Sequence, residues 1–289
     1  MSSTYLLVSV IVFIALVFDY TNGFHDAANA IATTVATKAL RARPALILAA
    51  AGNLVGAFLS TGVAHTVGKG IIDVEKSNSG LYVVMAALFG AITWNLITWW
   101  FGLPSSSSHA LIGGLVGAAL ASSQHVHWDG VKQKVLIPMV ISPLVGMFGA
   151  LLLTLALQWL FRNAKRSRAG KGFKAGQIIA AGTMSVGHGL QDAQKTMGVI
   201  TLALVIGGYY SGDSIPTWVK FAAAAAISLG TYVGGWRIMK TLGHKMIEVD
   251  PIRGFASSTV ASTVLFYMAI HLKAPVSTTH SITTAILGA

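Results

Sequence analysis

The chain has 289 residues, 54% of them hydrophobic and only 10% charged, with a formal net charge of +11 and no cysteine. A soluble domain carries roughly 25% charged residues, so the composition points to a membrane-embedded chain and away from a soluble enzyme. The missing cysteines exclude disulfides, thiolate metal centres and cysteine nucleophiles.

The first apolar run, near 5–18, has no basic segment before it and leads into polar sequence rather than a cleavage site, so no cleavable signal is expected. This span is expected to break at Asn22-Gly23, a turn-forming pair. Further apolar runs lie near 44–67, 80–101, 133–161, 177–209, 216–236 and 254–272. Most are long enough to cross a hydrocarbon core of about 30 Å. Residues 104–122 are expected to cross or to form a re-entrant hairpin, and 133–161, with Pro138 and Pro143, to be one segment or two.

Basic groups flank these runs. They are Lys38, Arg41 and Arg43; then Arg162, Lys165, Arg166, Arg168, Lys171 and Lys174; then Lys240, Lys245 and Arg253, accompanied by Glu248 and Asp250. Such placement follows the positive-inside rule and gives them to cytoplasmic loops. A nucleic-acid surface would interleave aromatics with the bases, and no nucleic-acid partner is expected. With the basic loops inside and 104–122 crossing, the first half makes five passes. An odd number inserts the second half upside down, the inverted-repeat plan of many secondary transporters. The expected organisation is a first repeat over 1–161, a basic cytoplasmic loop over 162–176 and a second repeat over 177–289.

A duplication supports that plan. Asn22-Gly23-Phe24-His25-Asp26-Ala27-Ala28-Asn29 corresponds to His188-Gly189-Leu190-Gln191-Asp192-Ala193-Gln194-Lys195, with Asp192 166 residues after Asp26. Pro104-Ser105-Ser106-Ser107-Ser108-His109 corresponds to Pro275-Val276-Ser277-Thr278-Thr279-His280, with His280 171 residues after His109. Only nine residues follow His280, so a further span, and hence C-terminal truncation of the second repeat, is expected if the duplication is full.

Acids are few, and Asp73, Glu75, Asp129, Asp213, Glu248 and Asp250 fall in loops or at span ends. An ionised side chain at the centre of a transmembrane helix costs about 2.5–3.5 kcal/mol on insertion scales, so Asp26 and Asp192 are candidates for cation coupling. Asp19, matched by Ser185, is a candidate for capping the break or binding a cation. Gly187-His188-Gly189 is expected to weaken the second motif helix as Asn22-Gly23 does the first. Unwound carbonyls beside a carboxylate suit a small cation, and Asn29, Gln191 and Gln194 add neutral ligands. Lys195 is a candidate to pair with an acid or to meet an anion. Ser105, Ser106, Ser107 and Ser108, with Ser277, Thr278 and Thr279, offer hydroxyl donors where helices begin. Helix N-termini add partial positive charge, so two converging there suit an oxyanion. His25, beside Asp26, is a candidate proton carrier, as histidine titrates near neutral pH; His109 and His280 close the hydroxyl segments.

These four motifs, in order, resemble those of the inorganic phosphate transporter family, and the resemblance extends from Asn22 to the C-terminus. Members carry a Gly-x-Asn-Asp-like signature twice, each copy followed by a Pro-x-Ser/Thr-Ser/Thr-x-His segment. The resemblance implies an all-α integral membrane protein with inverted repeats, discontinuous helices and re-entrant hairpins. It also implies a multi-pass protein of the cell membrane, commonly a homodimer, that imports inorganic phosphate with a cation. By resemblance, Asp26 and Asp192 serve coupling while Ser105–Ser108 and Ser277–Thr279 line the phosphate site. The chain departs from the signature at His25 and Gln191, where Asn is usual. Gly-Phe-His-Asp is similar to bacterial proton-coupled members, some of which carry phosphate as a neutral metal complex. Proton symport is therefore expected and sodium is the alternative, with no resident cofactor. The rival readings are a sulfate permease of the same fold, a transport-inactive phosphate sensor, and an intramembrane hydrolase using Ser107 or Ser108 with His109 and Asp26.

Overall fold

Many large apolar side chains face outward, while a set of polar and charged ones is buried inside the apolar core. Phe13 (67% exposed), Leu152 (66%) and Phe101 (70%) stand on the surface, whereas Asp26, Asn29, His188, Asp192 and Lys195 are each at most 2% exposed. Soluble proteins rarely expose contiguous apolar surface on this scale, which suits a membrane-embedded chain. The computed structural model describes residues 3–242 and 249–289. Lys245 and Glu248 of the expected third basic loop lie outside the described residues, as do the side chains of Arg166 and Arg168.

The described residues are almost wholly helical. In chain order they form α1 (Ser3–Ala36), α2 (Ala42–Gly56), α3 (Gly62–Lys69), α4 (Asn78–Phe101), α5 (Ser107–Ala121), α6 (Trp128–Val131), α7 (Ile137–Leu160), α8 (Arg166–Ile206), α9 (Thr217–Val233), α10 (Trp236–Lys240), α11 (Pro251–Ile270) and α12 (Thr278–Gly288). A π-helical turn, Lys132–Leu136, joins α6 to α7, and β1 (Ile72–Asp73) pairs antiparallel with β2 (His125–Val126). Among the described residues, three helical runs are long and apolar enough to cross a membrane: Ser3–Ala36, Asn78–Phe101 and Trp128–Leu160. The last settles 133–161 as one segment, with Pro138 in the first turn of α7 and Pro143 inside it.

Several expectations need correction. The motif helices do not break: α1 runs through Asn22-Gly23 and α8 through Gly187-His188-Gly189. A helical glycine costs only about 1 kcal/mol relative to alanine, and packing outweighs it. The packing is visible at two crossings. Gly23 lies against the backbone of Ile227 and Thr231 on α9, and Gly189 against the backbone of Asn53 on α2. Small residues of this kind let membrane helices approach closely. The discontinuities fall elsewhere. Run 44–67 divides between α2 and α3, and run 216–236 stops at Gly234, whose φ is 81°. The basic segment 162–176 is not all loop, since α8 starts at Arg166; Lys, Arg and Ala are good helix formers. Residues 104–122 give a 15-residue helix, α5, about 22 Å long at 1.5 Å per residue. That is short of a full span and fits the hairpin alternative, with α4 as its packing partner.

The two copies of each motif lie on like series of helices. Helices α1, α2, α3, α4 and α5 are followed in the same order by α8, α9, α10, α11 and α12. The two hydroxyl-rich helices are capped alike. The Ser106 hydroxyl accepts from the His109 backbone N–H at 3.2 Å, and Ser277 accepts from that of His280 at 3.0 Å. The helices pack crosswise between halves, α1 on α9 and α2 on α8, while α1 and α8 pack on each other. The apolar core has two parts. Residues Val8 to Phe18 of α1 belong to one and Ala27 to Ala32 to the other, so the polar motif sits where the two meet.

Gly189→Val is expected to lower the thermal unfolding temperature in detergent, because overpacking a tight contact costs roughly 1–3 kcal/mol. Gly172→Ala on the same helix, where a methyl group meets open space, is expected to be neutral or slightly stabilising. Equal melting curves for the two variants would contradict the crossing.

Candidate functional site

Positions 19, 22, 26 and 29 of α1 are spaced three and four apart and share one helix face, as do 185, 188, 192 and 195 of α8. All eight side chains are buried. With α1 packed on α8, these stripes form a polar seam between the halves, joined by the first turns of α5 and α12.

Asp26 is held by neutral hydroxyls and a histidine. Its Oδ1 lies 2.7 Å from His25 Nδ1 and accepts from Thr279 Oγ1 at 3.3 Å, while Oδ2 accepts from Ser107 Oγ at 3.0 Å. Asp192 is held by a lysine, a histidine and a hydroxyl. Its Oδ1 pairs with Lys195 Nζ, and Oδ2 lies 3.0 Å from His188 Nε2 and accepts from Thr278 Oγ1 at 3.4 Å. His188 Nε2 is also 3.9 Å from Asp26 Oδ2, so this one ring bridges the two acids.

The contacts repeat across the halves. Ser107 donates to Asp26 as Thr278 donates to Asp192. Asn29 Nδ2 donates to Thr279 Oγ1 at 2.8 Å, and at the matching positions Lys195 Nζ donates to Ser108 Oγ. Ser108 Oγ in turn donates a hydrogen bond to the Val276 carbonyl at 2.9 Å. The seam is therefore two-fold in pattern and asymmetric in charge, because Lys195 stands where the first half has Asn29.

The structure brings together Asp26, Asp192, His25, Asn29, Ser107, Ser108, Thr278 and Thr279. It divides the other expected residues. Gln194 does not join: its Oε1 accepts from the backbone N–H of Val63 at 2.9 Å and Ala64 at 3.3 Å, at the start of α3. Two residues along an unbroken helix is about 200° round the axis, so Gln194 cannot share the face of Asp192. Gln191 acts as a clamp. It donates to the Leu265 and Ala274 carbonyls, both at 3.3 Å, and accepts from Val276 N–H at 3.4 Å, holding the extended strand of chain before α12. His25 does the same before α5: its Nε2 is 3.0 Å from Thr98 Oγ1 and 3.4 Å from Ser105 Oγ. Ser106 and Ser277 spend an acceptor site on the caps already described. Ser105 and Ser106 line a cavity of about 600 Å³ with Pro104, Trp94, His109 and His280, one step outward from the acids. The rings of His109 and His280 meet there, with centroids 5.1 Å apart. No Ser–His pair of the kind the hydrolase reading needs forms at Ser107 or Ser108, whose hydroxyls donate to Asp26 and Val276.

His188 was missed as a functional side chain. The available signal was its alignment with Asn22, a neutral residue replaced by a titratable one. Its Nδ1 lies 2.9 Å from Asn53 Oδ1, and Asn53 Nδ2 donates to Thr231 Oγ1 at 2.7 Å, which orients the amide so that Nδ1 is the donor. Nε2 then faces two carboxylates either as a second N–H donor or as a ligand to a cation between them. Ligand atoms of Asp26, His188 and Asp192 lie within 4.8 Å of one another, a set that could hold a metal ion.

Comparison with known proteins adds the family. The model of the phosphate transporter family matches residues 22–289. A "Probable low-affinity inorganic phosphate transporter" of Bacillus subtilis is 45% identical over 98% of this chain and 85% of its own length. Another of that name from Rhizobium meliloti is 48% identical over 95% of this chain and 82% of its own. Among solved structures, one titled "The sodium-dependent phosphate transporter" superposes with a TM-score of 0.85 over 98% of this chain and 89% of its own. At 23% identity that likeness speaks for the fold alone.

Proposed function

The chain belongs to the phosphate transporter family and is a transporter rather than an enzyme, and from that premise we propose that it imports inorganic phosphate across the cell membrane in symport with protons. Residues 1–161 and 177–289 act as inverted repeats about the seam, with 162–176 on the cytoplasmic side, and the protein works as a homodimer. Rocking of one repeat against the other exposes the seam to each side in turn.

One observation carries this reading: Lys195 is shared between Asp192 and Ser108. The ammonium group occupies the very hydroxyl that an oxyanion would use. A proton or sodium ion arriving at Asp192 takes over the carboxylate and releases Lys195. The freed ammonium, the hydroxyls of Ser107, Ser108, Thr278 and Thr279, and the first N–H groups of α5 and α12 then receive phosphate oxygens. Cation binding thus favours anion binding, which is what symport requires. Asp26 stays with its neutral donors and keeps the negative charge that lets the cargo leave again. Where phosphate travels as a metal complex, Asp26, His188 and Asp192 supply the metal's ligands.

Labelled phosphate uptake into proteoliposomes tests the proposal, with a pH gradient and a sodium gradient imposed separately. Uptake driven by the pH gradient and weakly competed by sulfate is the expected result. Uptake driven by sodium alone would overturn proton coupling, and strong sulfate competition would overturn the substrate.

A further inference from the structure

Asp19 lies on α1 seven residues before Asp26, on the same helix face and about 10 Å from it along the axis. It is fully buried, and the one side-chain donor that acts on its carboxylate is the Thr196 hydroxyl of α8, from beyond close hydrogen-bonding distance. Burying a polar group without a partner costs several kcal/mol, and a chain selected only to fold would gain by replacing it. The second half has made that replacement. Its matching residue, Ser185, satisfies itself on the Ala181 carbonyl at 2.7 Å. Asp19 is not alone in lacking close partners. Asn22, one turn further on, has both side-chain polar atoms unpaired, and the Thr196 hydroxyl, which faces Asp19 from α8, has no partner closer than that carboxylate. Asp19, Asn22 and Thr196 together bring four buried oxygen atoms to this stretch of the seam, none of them in a close hydrogen bond.

The charged groups that act on Asp19 are Asp192, Lys195 and His188, all on α8. The other helices packed on α1 turn their ionisable groups elsewhere. Helix α4 has no Asp, Glu, Lys, Arg or His, and its Tyr82 is exposed. Helix α9 crosses α1 where Gly230 meets Tyr20, and its Lys220 is ten residues from that crossing. Arg43 of α2 is exposed. Arg237 of α10 lies over Trp99 and Trp100, Arg253 of α11 pairs with Asp250, and His280 of α12 meets His109. Asp19 therefore carries a negative charge, when ionised, that no side chain neutralises directly.

We infer that Asp19, Asn22 and Thr196 form a second monovalent-cation site, separate from the Asp26–His188–Asp192 cluster, which takes a proton on the Asp19 carboxylate or a sodium ion among its oxygens. The inference rests on the symport reading. The site stands at one end of the seam, and the corresponding place at the other end, with Ser185, has no acid. A cation is therefore met in an order: Asp19 first or last, according to the side from which it comes.

The test is labelled inorganic phosphate uptake by proteoliposomes of wild type, Asp19→Asn and Asp19→Glu, under the pH gradient and the sodium gradient separately. Asp19→Asn is expected to lower the gradient-driven initial rate about tenfold or more, within the range of a coupling free energy. Its remaining uptake should no longer respond to the gradient that drives the wild type. Asp19→Glu is expected to restore the response with a shifted cation dependence. The gradient whose effect is lost identifies the ion. An intact response in Asp19→Asn would overturn the site, as would a loss that Asp19→Glu fails to restore, which marks a purely structural role. If the wild type takes up no phosphate under either gradient, the transport reading itself fails and the site with it.

Discussion

Asp192→Asn is expected to reduce gradient-driven phosphate uptake about 100-fold or more, two decades at roughly 1.4 kcal/mol each. The substitution keeps the size of the side chain and leaves an oxygen that Lys195 and Thr278 can still approach. What it removes is the charge. Asp192 is the acid to which Lys195 and His188 both turn, so it is the place where an arriving cation competes with protein groups. With Asn there, no competition takes place and Lys195 is not released by the cation. Asp26→Asn should be damaging for a different reason. Asp26 is bound by Ser107, Thr279 and His25, so its loss alters the hydroxyls that face the anion more than the charge of Lys195. The two variants should separate kinetically. Asp192→Asn should lose the response to the driving gradient, whereas Asp26→Asn should raise the phosphate concentration needed for half-maximal uptake. Initial rates over a phosphate series, with and without the gradient, read both. Gradient-driven uptake at the wild-type rate in Asp192→Asn would sink the coupling scheme.

Some of this arrangement was legible in the residues and some was not, and the difference is physical. The acids and the hydroxyl segments could be found because each occurs twice, at nearly one offset, in a chain with nine acids in all. Their convergence is visible in the packing: the helices that carry the two aspartates, α1 and α8, lie against each other. The helix breaks were misplaced because glycine signals two opposite things. In water it weakens a helix; at a membrane helix crossing it lets two backbones touch, as Gly23 does on α9 and Gly189 on α2. Once α8 is known to be unbroken, Gln194 falls off the site by periodicity alone, while Gln191, next to Asp192, turns to the chain ahead of α12. His25 and Gln191 differ in chemistry yet do the same work, each holding the extended residues that lead into a capped helix. Alignment of the copies shows that they correspond. It does not show that both are clamps, because the chain they hold is distant in sequence.

Lys195→Asn gives the second half the residue that the first half already has at Asn29. It is expected to do two separable things. Removing one partner of a buried ion pair typically costs about 3–5 kcal/mol, because the other charge is left uncompensated. Lys195 and Asp192 are both fully buried, and His188 shares only part of that charge, so unfolding in detergent should shift to clearly lower temperature. Asn29 shows that the replaced side chain can still donate to the facing hydroxyl, as it does to Thr279, so the contact to Ser108 is kept in kind. On the proposed scheme phosphate loses the ammonium released to it, and the concentration for half-maximal uptake should rise about tenfold or more, since hydrogen bonds from charged donors are roughly twice as strong as neutral ones. Combining Lys195→Asn with Asp192→Asn distinguishes the two effects. The double variant leaves neither partner of this pair uncompensated, so it should recover most of the stability lost by Lys195→Asn, yet it should not recover transport. Stability changes that simply add would show that the two side chains do not act on each other. Recovery of gradient-driven uptake in the double variant would show that the pair serves the fold alone, and Lys195 would then have no part in holding the anion.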